Sequence, residues 1–136
     1  MSVFKYGVGL RNVGSYQVAG SPFITGSDNI NNGVEDKIEF PKVTKSITVH
    51  SLSSSDGTGV DVHFNSLAAG VGNVSSGNHF KRLSGDEIFT FNVKCKEIYI
   101  SNPATGAQPL KYRVIAELTN IPTSSMYVLT GSGLTD

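Results

Sequence analysis

Apolar and polar residues alternate at period two in short segments of this chain. That spacing is typical of strands that bury one face. Loops rich in Ser, Gly, Asn and Pro separate the segments, and no helical run of useful length intervenes. The segments are Lys37–Val43, Lys45–Ser51, Val60–Asn65, Glu87–Val93, Glu97–Ser101 and Leu110–Thr119. The pattern predicts an all-β fold, an antiparallel β-sandwich of jelly-roll or Ig-like type.

The phase of the alternation makes two local predictions. Val43–His50 and Val60–Phe64 flank a Ser/Asp/Gly loop, which is typical of a hairpin. Phe91 belongs to a run of apolar residues on one parity, whereas Ile98 falls on the opposite parity. Because a one-residue slip moves every side chain to the other face, we expect a bulge or corner near Lys94–Glu97. In a sandwich, the chain changes sheet at such a corner.

The first part of the chain has a different texture. Residues 2–34 hold six glycines, several amides and scattered aromatic residues. We therefore divide the chain into an extended, Gly-rich N-terminal arm over residues 1–34 and a β-sandwich domain over residues 35–136. Such an arm is suited to lying across a neighbouring surface and donating strands there. Its predicted interface residues are Phe4, Tyr6, Val8, Leu10, Tyr16 and Phe23.

Charge and length limit the possible partners. The chain has 136 residues, enough for one domain with its own core, and its 11 basic residues balance 11 acidic ones. A binder of nucleic acid or of a membrane surface normally carries a basic excess, so we expect neither partner. Without net repulsion, apolar patches and sheet edges must be covered for the protein to stay soluble. Self-assembly would cover them, which predicts a homo-oligomer, with a trimer as one option.

The only cysteine is Cys95, so an internal disulfide and a thiolate metal cluster are excluded. It follows Phe91 and Val93 at the same parity, which predicts a buried thiol. This usage favours maturation in a reducing cytoplasm. The N-terminal residues lack the apolar core of a signal peptide, and no apolar run approaches membrane-spanning length.

Few residues suggest reaction chemistry. Asp61-x-His63 places two possible metal ligands on one sheet face. Two ligands are weak evidence for a metal site, and a solvated or hydrogen-bonded pair is the favoured interpretation. No serine lies in a Gly-x-Ser-x-Gly setting, and Gly7-Val8-Gly9 lacks the third glycine of a phosphate-binding loop. We therefore expect no catalytic, cofactor or metal site, and a protein that is not an enzyme.

Several strings of the sequence resemble small virion structural proteins of tailed phages, of the marine cyanophage-like kind. These strings run from Phe40 to Val49, from Val93 to Ile100 and from Val114 to Pro122, and the opening from Tyr6 to Val18 adds to the similarity. The resemblance implies a β-sandwich packed in many copies on a capsid or tail. It supplies no catalytic residues, because that class has none.

Two functional hypotheses follow. The first is a capsid decoration, or cement, protein that binds and stabilises neighbouring capsid subunits, with the major capsid protein or other virion proteins as partners and the virion, assembled in the host cytoplasm, as location. The second is a receptor- or carbohydrate-binding module associated with a tail or fibre. Its binding surface would be the loops Ser53–Gly59, Leu67–Asn78 and Ala104–Pro109, whose small polar residues suit adaptable hydrogen bonding.

Overall fold

The structure is a computed structural model that describes residues 8–11, 13–17, 19–31, 33–52, 59–66, 80–103 and 110–126. Within these ranges the chain forms strands that build two antiparallel sheets, which confirms the predicted all-β sandwich. The strands are β1 (Ser21–Ile30), β2 (Glu35–Glu39), β3 (Lys42–Ser51), β4 (Asp61–His63), β5 (Lys81–Arg82), β6 (Ile88–Phe91), β7 (Glu97–Ser101) and β8 (Leu110–Pro122).

Helical structure is limited to short turns in the described ranges. One helical turn, α1 (Gly14–Gln17), precedes β1, and a 3-10 turn at Thr123–Ser125 follows β8. No helix in the described part of the chain is long and apolar enough to cross a membrane.

The strand order is that of a jelly roll. Sheet A has the order β1-β8-β3-β6 and sheet B the order β2-β7-β4-β5. Apart from the β4–β5 pair, consecutive strands lie in opposite sheets, so the chain winds around the sandwich as two Greek keys. Of the two sandwich types that the sequence allows, the jelly roll is therefore the one observed.

The core lies between the inward faces of the two sheets. Alternate residues of β8 and β3 meet alternate residues of β7, as with Val114, Ile47 and Ile100, each 0 % exposed. Fully burying one such side chain contributes about 1.5–3 kcal/mol, so this layer supplies most of the driving force for folding. Cys95 also lies in the core at 2 % exposure, which confirms the predicted buried thiol.

Two of the connections that carry the chain between the sheets bear on the sequence predictions. The segment Lys37–Val43 is not one strand as predicted, because β2 ends at Glu39 in sheet B and β3 begins at Lys42 in sheet A. Pro41 lies at this corner, where its missing N–H disrupts no strand ladder. The corner expected near Lys94–Glu97 is confirmed, since β6 lies in sheet A and β7 in sheet B.

The predicted hairpin between Val43–His50 and Val60–Phe64 is wrong. β3 pairs with β6 and β8, whereas β4 pairs with β5 and β7, so the two strands lie in different sheets. A short polar loop between two alternating segments fits an arch across the sandwich as well as a hairpin. The choice depends on which neighbours complete each sheet, and local sequence does not contain that information.

Strand β1, which belongs to the proposed N-terminal arm, pairs with β8 of the same chain from Ser21 to Ile30. Its Phe23 packs against the core and meets Phe40 edge to face, with 5.5 Å between the ring centroids. In the described residues, this part of the arm is thus an edge strand of the sandwich.

Two buried threonines hold the irregular start of β3, where the register with β8 shifts. The Thr44 hydroxyl donates to the Val93 carbonyl at 2.9 Å and accepts from the Cys95 N–H at 3.1 Å. The Thr119 hydroxyl donates to the Val43 carbonyl at 2.7 Å. The side chains thus satisfy backbone groups that regular strand pairing does not.

Candidate functional site

The outward face of sheet B carries a cluster of polar side chains of the types found in catalytic and metal-binding sites. Asp61 and His63 of β4 lie on this face together, as the spacing predicts, but they are only 6 % and 1 % exposed. They are neither solvated nor paired with each other. Asp61 binds Arg82, and His63 binds Ser101. Of the two alternatives to a metal site, solvation is therefore wrong, and the two side chains are hydrogen-bonded, each to its own partners.

Hydrogen bonds fix the tautomer of His63. Its Nδ1 lies 2.7 Å from the backbone oxygen of Asn65 and its Nε2 lies 3.0 Å from Oγ of Ser101. Because a carbonyl oxygen can only accept, Nδ1 carries the proton in the neutral ring. Nε2 then accepts from the Ser101 hydroxyl. The ring also stacks on Tyr99, with centroids 5.9 Å apart and planes within 5°.

Ser101, His63 and Glu35 resemble the parts of a nucleophile–base–carboxylate arrangement. The Glu35 Oε1 atom, however, lies 3.8 Å from Nδ1, whose proton is already donated to Asn65. Ser101 is 3 % exposed, so in this structure a substrate has no approach to its hydroxyl. Ser66 closes the cluster by donating to Glu35 Oε2 at 2.7 Å. The arrangement fastens β2, β4 and β7 to the segment that follows β4.

Arg82 of β5 binds Asp61 on the outward face of sheet B. Its Nε and Nη2 atoms donate to the two carboxylate oxygens of Asp61 at 2.8 and 3.0 Å. This paired geometry is the stronger form of an Arg–carboxylate contact. The hydrogen bonds to Asp61 raise the pKa of Arg82. The guanidinium also lies 5.2 Å from the centre of the Phe80 ring.

No group of three or more His, Cys, Asp or Glu side chains placed to hold a metal ion occurs among the described residues. In the Asp61-x-His63 motif, both carboxylate oxygens bind Arg82 and both ring nitrogens lie in hydrogen bonds. A metal would have to displace these partners.

The predicted interface residues of the N-terminal segment lie in different environments. Phe4 and Tyr6 are outside the described residues. Val8 is 55 % exposed, Leu10 and Tyr16 pack against a small cluster of Val43, Ile121 and Met126, and Phe23 packs against the main core. Of the described members, Val8 is thus the one most available for a contact outside the chain.

A second surface, missed by the sequence reasoning, is the aromatic edge formed by β6 and its neighbours. Phe89 and Phe91 have ring centroids 4.7 Å apart, and Phe64 meets Phe91 edge to face at 5.7 Å. Phe89 remains 38 % exposed, with the Lys81 ammonium 5.4 Å from its ring centre. The shared parity of Phe89 and Phe91 is visible in the sequence, but their position at a sheet edge is not.

The edges of the two sheets differ in how they are protected. β2 and β5 carry charged residues along their length, and β1 contains Pro22 and Asp28. Charge and proline are the usual devices against unwanted strand addition. β6, with the sequence Ile-Phe-Thr-Phe, contains neither. Among the described strands, it is the edge most open to pairing with another chain.

The loops of the second hypothesis fall in residues 53–58, 67–79 and 104–109, outside the described residues apart from Gly59. The registers nevertheless fix where the flanking strands end. β3 ends and β8 begins at the same end of the sandwich, because Ser51 pairs with Tyr112. β4 starts at this same end, because Asp61 pairs with Ser101, and the neighbouring Asn102 binds the carbonyl of Ile30, the partner of Leu110 at the start of β8. β4 therefore ends at the opposite end, where β5 begins. The strand ends that flank the three loops are therefore divided between two ends of the molecule.

Comparison of the chain with protein-family models, with curated proteins and with solved structures gave no match.

Proposed function

We propose that this protein is a capsid decoration protein that binds and stabilises neighbouring subunits of a virion. The observation that carries the proposal is the aromatic edge at β6, an uncharged edge strand with the half-exposed Phe89. An apolar edge without protective charge is suited to accept a strand or an apolar surface from a partner.

Two further features support a binding protein over a catalyst. The jelly roll is a frequent architecture of viral capsid and lectin domains, although a fold alone does not determine function. The Ser101–His63 pair, the best candidate for reactive chemistry in the described residues, is buried and takes part in fastening strands together. Among the described residues, Phe89 at the aromatic edge is an exposed apolar feature that a partner could cover.

Many copies on a symmetric shell would strengthen weak individual contacts. Burial of apolar surface contributes about 25 cal/mol per Å², reduced by the cost of ordering the parts that bind. Repetition then raises the overall affinity through effective concentration. The alternative of a receptor- or carbohydrate-binding module would use loops that start from opposite ends of the sandwich, which is a less compact arrangement for one binding surface.

The proposal is tested by counting copies of the protein in purified particles. We expect hundreds of copies on the head, and strongly reduced incorporation of Phe89→Lys. Val34→Lys is the matched control, because Val34 is 39 % exposed and Phe89 is 38 % exposed. Equal incorporation of both variants would contradict the role of the aromatic edge. A few copies at the tail, with saturable glycan binding, would favour the alternative.

The N-terminal segment is tested by a deletion that spares the sandwich. Removing residues 2–34 would also remove β1, which pairs with β8, so the deletion should end at residue 19. We expect the shortened chain to keep its far-ultraviolet circular dichroism spectrum and to be incorporated less. Normal incorporation would overturn the arm model.

A further inference from the structure

The outward face of sheet A carries a row of β-branched side chains that crosses all four strands. Ile24 pairs with Ile115, Ile115 pairs with Thr48, and Thr48 pairs with Thr90. Ile24 is 67 % exposed and Ile115 is 45 % exposed. Because opposed β-branched side chains on neighbouring strands pack against each other, the two isoleucines form one exposed apolar patch. We call this the isoleucine row.

Opposite charges flank the isoleucine row on β8. On β8, Arg113 lies two residues before Ile115 and Glu117 lies two residues after it, both on the outward face. Each charge has a partner within the chain: Arg113 binds Asp28 at 2.7 Å, and Glu117 lies 3.7 Å from Lys45. The outward face of sheet A thus has opposite charges at equal distances from an apolar centre.

We propose that this face is a two-fold interface between two copies of the chain, with the symmetry axis along the isoleucine row. Such an axis turns the face over and reverses the strand direction. Ile115 of one copy then faces Ile115 of its partner. Arg113 of one copy faces Glu117 of the partner, and the reverse contact forms on the other side of the axis. The face is therefore complementary to itself, as a two-fold interface requires.

The size of the face fits a weak dimer. β1, β8, β3 and β6 have 10, 13, 10 and 4 residues. At about 3.3 Å per residue and about 4.8 Å between strands, they cover roughly 600 Å² on each copy, or roughly 1,200 Å² in total. That total lies at the lower end of specific interfaces, about 1,200–2,000 Å². We therefore expect a dimer that dissociates on dilution and gains strength when copies are held on a shell. The inference gives the homo-oligomer expected from the sequence a specific interface; it rests on the proposed function in that it leaves the aromatic edge available for the capsid.

Sedimentation equilibrium of the full chain tests the dimer over a range of concentrations. We expect Ile24→Thr to raise the dissociation constant at least about tenfold. Val13→Thr is the control, because it also replaces an exposed β-branched apolar residue with threonine. Val13 is 65 % exposed and lies outside the face. Full-chain protein that stays monomeric at about 1 mM would overturn the proposal.

A charge exchange tests the direction of the axis. Arg113→Glu and Glu117→Arg should each weaken the dimer, because each places like charges opposite each other. The double variant should recover most of the loss, because it exchanges the two signs. Failure of the double variant to associate more tightly than either single variant would rule out this axis. Circular dichroism melting of each variant separates loss of folding from loss of association.

A cysteine at the axis gives an independent readout. Ile115→Cys should be crosslinked between copies by a bifunctional maleimide that spans about 10 Å, because the two copies of residue 115 face each other across packed sheets, at a separation too large for a direct disulfide. Val13→Cys should not, and the buried native Cys95 provides no competing thiol. No crosslinking above the Val13→Cys level would count against the interface. A monomeric chain that still binds particles would overturn this inference while leaving the proposed function intact.

Discussion

Replacement of Thr44 by valine tests how the corner between β6 and β7 is held. The side chain is 0 % exposed, and its hydroxyl takes part in two hydrogen bonds to backbone groups of this corner and lies 3.6 Å from Sγ of Cys95. Valine keeps the shape of threonine but can neither donate nor accept. The Val93 carbonyl is part-buried and can accept a hydrogen bond from water after the substitution, whereas the Cys95 N–H is buried and cannot reach water.

The expected loss follows from these two environments. A hydrogen bond whose partner can reach water contributes about 1 kcal/mol, and a buried donor left without a partner costs about 2 kcal/mol. Thr44→Val should therefore lower the free energy of unfolding by about 3 kcal/mol. With a urea dependence of about 2 kcal/mol per molar, the midpoint of unfolding falls by about 1.5 M.

Thr48→Val is the matched control on the same strand. Thr48 lies on the outward face of sheet A, and its hydroxyl bonds to the exposed hydroxyl of Thr90 at 2.9 Å. Both groups can bind water instead, so we expect a change within about 0.5 kcal/mol. Because the chain has no tryptophan to serve as a fluorescence probe, urea unfolding is followed by circular dichroism. The protein concentration is kept too low for association. Equal midpoints for the two variants would refute the account of the corner.

Further predictions concern a tyrosine, the cysteine and a turn glycine. Tyr112→Phe removes a hydroxyl that donates to Asp36 at 2.7 Å, and should cost about 1–2 kcal/mol in urea unfolding. Burial and this hydrogen bond raise the pKa of Tyr112 in the folded protein above its unfolded value of about 10. The folded state therefore holds this proton more tightly, so stability should fall as pH rises above about 10, and less so in Tyr112→Phe. Burial raises the pKa of Cys95 to about 11, so its reaction with a disulfide reagent at pH 8 should be at least about 100-fold slower than in urea; equal rates would show an accessible thiol. Gly85→Ala should cost about 1–2 kcal/mol because φ is 60° there, whereas Gly9→Ala, with open space around the added carbon, should be neutral in the same assay.

Periodicity predicts most clearly those strands that have one covered face. The segment Leu110–Thr119 is observed as β8, Leu110–Pro122, with alternate residues buried along nearly its whole length. β8 lies between β1 and β3, so one of its faces meets the core throughout. The phase change before Ile98 is equally visible, because a strand that changes sheet must also change which side chains face inward.

The polar cluster of sheet B shows what periodicity cannot supply. Alternation places Asp61 and His63 on the face opposite Val62, but it does not say whether that face is covered. Partners from distant parts of the chain, Ser101 and Arg82, bury and satisfy them. A polar side chain in a strand is buried or solvated according to partners that only the tertiary fold brings together.

The two outward faces of the sandwich therefore have different physical roles. On sheet B, Lys37 binds Glu97 at 2.9 Å and Arg82 binds Asp61, so the charges of this face are used within the chain. On sheet A, the exposed surface includes Ile24 and Ile115, which pair with each other, and Ile115 pairs with Thr48 on its other side. Substitutions on sheet B should then appear as losses of stability in a dilute monomer, while substitutions in the isoleucine row should leave the monomer stable and weaken association. If Ile24→Thr and Asp61→Asn reduced monomer stability equally, this division between a self-contained face and a contact face would be wrong.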